Sequence, residues 1–327
     1  MATDADSWPI AAAMLPYPAV LADGRVVQDQ PASHWLSTLY EVADAGFSHV
    51  DITDSWLRVG DLSPQRLAEL TDVLHAAALT VPAVSTARRS VVDPNNGADN
   101  LAYCHRVIDA ASALGATVVS VGLFQALTPA QQSALWFWTV PGASDPDDPD
   151  VWSTAVRRFK EFGSHADAVG LQLSLEMYED TYLGTADSAV RLLTDIDHPA
   201  VGLNPDLGNI LRLQRPIEAW QTMLNKTLPF ANYWHVKNYF RSEDPASGAV
   251  FTTPAPLELG FMNYRTAVRQ AIASGYNGAF CAEHYGGDGL GVAARNRDYL
   301  RGLLRQCLSG RDGVARPDRE ASARSSA

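Results

Sequence analysis

One pattern recurs along the chain. A helical alternation of apolar and polar positions ends in a glycine, and a short apolar run follows. It appears as EVADAGFSHVDI, AASALGATVVSV, SHADAVGLQLSL and AIASGYNGAFCAE. Gly46, Gly115, Gly170 and Gly275 fit helix C-caps, where glycine takes the left-handed turn most cheaply. The runs after them have strand length and are rich in β-branched or aromatic residues. The pattern predicts eight strands, near 9–14, 48–53, 80–85, 116–122, 171–176, 200–204, 231–236 and 278–283. Helices are expected near 33–45, 64–78, 97–113, 152–169, 185–196, 216–228, 263–274 and 290–307. Strict alternation of strand and helix implies a parallel sheet. Eight units in one chain favour a closed (β/α)8 barrel of the TIM type over an open doubly wound sheet. No G-x-G-x-x-G follows the first strand, so a dinucleotide-binding fold has little support.

Two segments stand outside the alternation. Residues 123–151 form a long insertion after the fourth strand, and residues 309–327 are a polar tail expected to be disordered. The expected organisation is therefore one barrel domain over 1–308, the insertion included.

The strand ends carry the chemistry. In a β/α barrel, the C-terminal ends of the strands converge on one mouth. The fifth strand ends in Glu176, the sixth runs on to Asp206, the seventh ends in His235 and the eighth in Glu283. Alternation puts Gln172, Ser174 and Glu176 on one face and Leu171, Leu173 and Leu175 on the other. In YWHVKNYF, His235 and Lys237 share a face, opposite Trp234 and Val236. Three carboxylates at one rim cannot all stay ionised without compensation. A divalent cation is the simplest compensation, and oxygen ligands with one nitrogen suit Mn2+, Mg2+, Co2+ or Zn2+, with manganese or magnesium favoured where no thiolate takes part.

The pieces LSLEMYE, VGLNPDLGN, WHVKN and AFCAEHY resemble the xylose isomerase-like barrel superfamily, in its sugar phosphate isomerase/epimerase branch. The resemblance implies that Glu176, Asp206, His235 and Glu283 bind one divalent metal, most simply Mn2+. It also implies proton removal next to a carbonyl through a metal-stabilised enediolate, with Glu176 and Glu283 as the proton-shuttling pair. Lys237 is expected at the substrate oxygens, with a salt bridge to a rim carboxylate as its alternative. Asn209, Tyr178, Trp56 and His284 complete the expected substrate contacts. Two departures matter. Ketose 3-epimerases of the superfamily usually carry a histidine where this chain has Asn209, and many members read H-x-K-D where it has Asn238. A lyase outcome is the alternative, as in the large subunit of C-glycoside deglycosidases, which eliminates an aglycone from a 3-keto glycoside. A non-catalytic sugar-binding barrel is a third reading.

Other candidates are weaker. Asp51 and Asp54 follow the second strand and could be helix caps, and Arg88 and Arg89 follow the third. Trp136, Phe137 and Trp138 of the insertion either reach the mouth or fold the insertion onto the barrel. With no phosphate-cradling loop, an unphosphorylated sugar or glycoside is the expected partner. The net charge of −12 argues against nucleic acid. No apolar run approaches a membrane span of about 20 residues. The N-terminus shows no basic region followed by an apolar one, and the three scattered cysteines suggest no disulfide framework or zinc ribbon, so a cytoplasmic location is expected. Barrels of this kind often associate, as homo-oligomers or with a small partner subunit.

Overall fold

The glycine-punctuated repeats set the architecture. In the computed structural model, which describes residues 4–309, Gly46, Gly115, Gly170 and Gly275 all have φ between +75° and +89°. Each follows a helix directly and turns the chain into the next strand. The strands are β1 (Ile10–Ala13), β2 (His49–Thr53), β3 (Thr80–Ser85), β4 (Val118–Val121), β5 (Gln172–Glu176), β6 (Val201–Asn204) and β7 (Trp234–Val236). A further pair, β8 (Asn238–Glu243) and β9 (Val250–Ala255), precedes β10 (Phe280–Ala282).

Eight of these strands form one parallel sheet in the order β6-β5-β4-β3-β2-β1-β10-β7. Its two ends meet through a parallel bridge between Leu203 and Ala231 and through the backbone N–H of His235, which donates to Asn204 Oδ1 at 2.8 Å. The result is a (β/α)8 barrel. Outward side chains such as Ile52, Leu173, Leu175 and Trp234 pack against the helices in the large outer core. A separate small cluster of Ala13, Ala83, Val118, Tyr233 and Cys281 fills the lower interior. Above it the interior turns polar, with Asp51, Ser85, Ser120, Ser174 and Asn204 all buried.

The hairpin β8–β9 is absent from the sequence-based expectation. It pairs antiparallel from Asn238↔Ala255 to Glu243↔Val250. Only Lys237 separates it from β7, so the apolar run of the seventh strand hides a second, differently directed strand. One hairpin face packs on the barrel through Tyr239 and Thr252, and the other leaves Phe240 and Phe251 exposed. The insertion contains a short helix, Pro129–Ser133, whose N-terminus is closed by a reciprocal Thr128–Gln131 capping box. The following helix runs over Pro149–Ala168, with Asp148 as its N-cap. Trp138 is buried, stacks at 5.0 Å on Trp136 and donates from Nε1 to Thr252 Oγ1 at 3.3 Å. The tail expected to be disordered lies outside the described residues. No helix among the described residues is long and apolar enough to cross a membrane.

The close approach of β7 and β10 depends on Gly278. A Cβ there would sit 2.3 Å from the carbonyl oxygen of Asn232, a backbone atom that cannot swing away. Gly278→Ala should therefore lower stability by about 1–3 kcal/mol, as overpacking does, and a lowered thermal midpoint would show it.

Candidate metal centre and substrate cavity

Strand geometry delivers four side chains to one point. Glu176 closes β5, Asp206 lies just beyond β6, His235 is central in β7 and Glu283 directly follows β10. All four are buried. His235 Nδ1 is 3.3 Å from Glu283 Oε2, 3.6 Å from Glu176 Oε2 and 4.0 Å from Asp206 Oδ2. It makes no hydrogen bond. The other ring nitrogen, Nε2, lies 3.1 Å from Asp51 Oδ2. That carboxylate holds the Nε2–H and leaves Nδ1 facing the three acids, where it can coordinate once its own proton is lost. The same Asp51 oxygen accepts from Ser85 Oγ at 2.7 Å and from the Tyr233 hydroxyl at 2.5 Å.

The donor set suits a divalent ion. Ligand atoms of Glu176, Asp206 and His235 lie within 4.8 Å of one another. Asp206 Oδ1 is buried without a hydrogen-bond partner, as is His235 Nδ1. Carboxylate oxygens with one imidazole nitrogen fit a hard or borderline dication.

The charges are strongly coupled. Burial pushes the Glu176 carboxyl up to about 7, against the pull of His235. Burial likewise raises Asp206, against Lys237. At Glu283 burial acts the same way but is outweighed by Lys237 and His235, so its carboxyl lies below the usual range. His235 is held well above its ordinary value because Glu176, Asp51 and Glu283 overcome the burial that disfavours its charge. Two carboxylates in one site are thereby pushed apart in acidity, which is how one site holds an acid and a base at the same pH.

Lys237 and Asn209, expected at the substrate, both contact the carboxylates directly. Lys237 Nζ sits 2.7 Å from both Asp206 Oδ2 and Glu283 Oε1. The physical reason is its burial, since an ammonium out of water requires counter-charges. Its stem passes Gly208 so closely that a Cβ there would lie 2.3 Å from Lys237 Cγ. Asn209 Nδ2 donates to Glu176 Oε1 at 3.0 Å, Met177 O at 2.9 Å and Asp206 Oδ2 at 3.2 Å. Both side chains orient the acids. His284 is half-buried beside Glu283. Tyr178 and Trp56 line a cavity of about 660 Å3 whose floor is Glu176, His235 and Glu283.

Asp51 and Asp54 are not helix caps. Asp51 lies mid-strand, paired in register with Ala13 and Ala83, and points into the barrel. A carboxylate at the centre of a predicted strand was the available signal, because a buried charge needs partners. Asp54 accepts from the Tyr103 hydroxyl at 2.6 Å and pairs with Arg89 at 3.3 Å. A second unforeseen pair shapes the mouth. Arg212, fully buried, grips Glu179 through Nε at 3.0 Å and Nη2 at 2.8 Å. Its guanidinium lies 4.8 Å from the Phe137 ring, 5.1 Å from Tyr178, 5.2 Å from Trp138 and 5.7 Å from Tyr285. One cation thus gathers the aromatic wall.

Residues 39–304 match the profile of the xylose isomerase-like TIM barrel family. Among solved structures, a xylose isomerase-like TIM barrel protein from Mycobacterium smegmatis in complex with magnesium is 48% identical. The match covers 94% of this chain and 99% of that one, with a TM-score of 0.90. D-psicose 3-epimerase from Clostridium cellulolyticum H10 shares the fold at 15% identity, over 93% and 97% of the two chains, with a TM-score of 0.60. So does 3-keto-D-glucoside 4-epimerase from E. coli, at 15% identity over 90% and 99%, with a TM-score of 0.62. No curated protein matches the chain.

Removing one member of the buried Arg212–Glu179 pair strands the other. Arg212→Met should cost about 3–5 kcal/mol in urea unfolding, and adding Glu179→Leu should recover much of that loss.

Proposed function

We propose that this chain, which belongs to the xylose isomerase-like TIM barrel family, is a divalent-metal-dependent enzyme of the sugar isomerase/epimerase type. The observation that carries the reading is the orientation of His235: Asp51 fixes Nε2, and the unpartnered Nδ1 faces three carboxylates. The magnesium in the Mycobacterium smegmatis relative supports it. Glu176, Asp206, His235 and Glu283 would hold the ion. When bound, it would polarise a sugar carbonyl and neutralise charge developing on that oxygen.

The chain's own residues do the rest. Glu176 and Glu283 line the cavity floor. Glu176, at the cavity floor beside His235, is placed to exchange a proton with the carbon beside the carbonyl. Glu283 is kept ionised by Lys237 on Oε1, which leaves Oε2 on the side of His235 to accept or return a proton. Asn209 and Lys237 fix the angle of the acids. Asp51, Ser85 and Tyr233 fix that of the imidazole.

Glu176→Gln and Glu283→Gln are each expected to abolish exchange of substrate C–H protons with deuterated water, assayed with free ketoses and 3-keto glycosides. Wild-type rates in either variant would remove it from the proton shuttle, and release of a substituent in the same tube would assign a lyase. Asp51→Asn should weaken metal binding about 10–100-fold, the usual effect of losing the acceptor behind a ligand histidine, read by titration calorimetry. Metal binding should also strengthen with rising pH, because Glu176 and His235 both hold protons in the metal-free fold beyond their ordinary values. The sign for stability is the same for both. Glu176 keeps its proton up to about 7 when folded and releases it near 4.5 when unfolded, so the metal-free fold loses stability as pH rises through that window. The stabilisation conferred by metal, read as a thermal shift with and without chelator, should grow over the same range.

A further inference from the structure

Two helices of the outer ring carry a second cluster of metal-type side chains. The helix Gly97–Ala113 contributes His105 and Asp109, and the helix Pro149–Ala168 contributes Glu161 and His165. The members of each pair are four residues apart and so share one helix face. The two faces meet, and their contacts are crossed. His105 Nε2 lies 2.9 Å from Glu161 Oε1, and His165 Nε2 lies 2.9 Å from Asp109 Oδ1. The remaining ring nitrogens face each other, His105 Nδ1 to His165 Nδ1 at 2.8 Å.

The proton count makes this contact unusual. Each carboxylate accepts from an Nε2–H, which fixes the tautomer of both rings. The gap between the two Nδ1 atoms admits one proton at most, because two would collide. With none, two lone pairs would oppose each other across 2.8 Å. Something positive belongs between them: a shared proton, or a metal ion in its place.

Four features suit a metal ion. A ligand histidine commonly donates its second N–H to a carboxylate, and here both rings do so. Two nitrogens, each about 2.0 Å from one ion and at a right angle, are about 2.8 Å apart. Neighbouring corners at a right angle belong to the square coordination of Cu2+ and Ni2+. The two histidine side chains are 27% and 25% exposed, so an ion and its waters can reach them. The His105 ring is nevertheless held, edge-on to the buried Phe162 at 5.0 Å.

We infer that His105 and His165 form a second metal site, for a borderline dication such as Cu2+ or Ni2+, joining the two helices through their Nδ1 atoms. On binding, the shared proton leaves to solvent, both Nε2–H groups stay with Glu161 and Asp109, and water fills the remaining positions. Mg2+, which prefers oxygen ligands, is not expected there. The helix Pro149–Ala168 leads out of the insertion, so an ion here would fasten the base of that segment. The site is independent of the barrel centre and differs from it in kind, with two nitrogens on the ion and no carboxylate.

The test is calorimetric titration with Ni2+, and electron paramagnetic resonance of the Cu2+ form, on the untagged full chain, on His105→Ala and on His235→Ala. The wild type should bind two equivalents of Ni2+ and each variant one. The Cu2+ spectrum should show a species with two coordinated nitrogens, lost in His105→Ala and kept in His235→Ala. Asp109→Asn with Glu161→Gln should weaken the His105-dependent equivalent about tenfold or more. His105 is partly exposed, so its variant should fold even where the buried His235→Ala does not. The inference is overturned by a Ni2+ count that His105→Ala leaves unchanged, or by a two-nitrogen species that is absent from the wild type or survives in His105→Ala. A single wild-type equivalent lost in His105→Ala but kept in His235→Ala would sink the barrel-centre reading alone. A single equivalent with the opposite dependence would sink only the interhelical site.

Discussion

A carboxylate in a barrel interior is unfavourable unless cations or hydrogen-bond donors accompany it. Asp51, Glu176, Asp206 and Glu283 are all buried here, and His235 and Lys237 lie among them. Mutual neutralisation dictates much of the surrounding structure. Lys237 must reach both Asp206 and Glu283, so position 208 can carry no side chain. His235 must present one edge to Asp51 and the other to the remaining acids, so Tyr233 and Ser85 are recruited to share Asp51. The polar layer rests on the small apolar plug of Ala13, Ala83, Val118, Tyr233 and Cys281, and Tyr233 belongs to both.

The opposite end of the site follows another rule. There Arg212 is surrounded by rings, with Glu179 as its counter-charge, and Arg88 shares Phe137 and Tyr178 with it. The floor is thus organised by charge and the wall by aromatic surface. Tyr178 stands where the two meet, donor-bonded by Arg88 and 4.7 Å from the Phe124 ring.

Much of the barrel was legible in the sequence because its signals are local. The glycine at each helix C-cap and the alternation in each strand involve residues close in the chain, and the strands and principal helices fall within a few residues of the expected bounds. The convergence of Glu176, Asp206, His235 and Glu283 was legible for the same reason, since each lies within two residues of the C-terminal end of a strand. What stayed hidden depends on distant partners. Asp51 gains its meaning from Tyr233 and His235, far along the chain. Lys237 could be read as a substrate contact or a salt bridge until the positions of Asp206 and Glu283 were fixed in space. The hairpin β8–β9 was missed because β7 runs into it without a turn signal. Trp138 proved to fasten the insertion, whereas Phe137 reaches the cavity, a distinction within one tripeptide that composition cannot make.

Thr252 joins three of these segments. Its hydroxyl receives Trp138 Nε1 from the insertion and Gln214 Nε2 from the turn after the short helix Gly208–Leu211, each at 3.3 Å, and donates to Arg212 O at 2.8 Å. The hairpin, the insertion and that turn are therefore held together through one hydroxyl. Anyone transplanting this rim onto another barrel would have to move all three together, because any one grafted alone arrives with its knot untied.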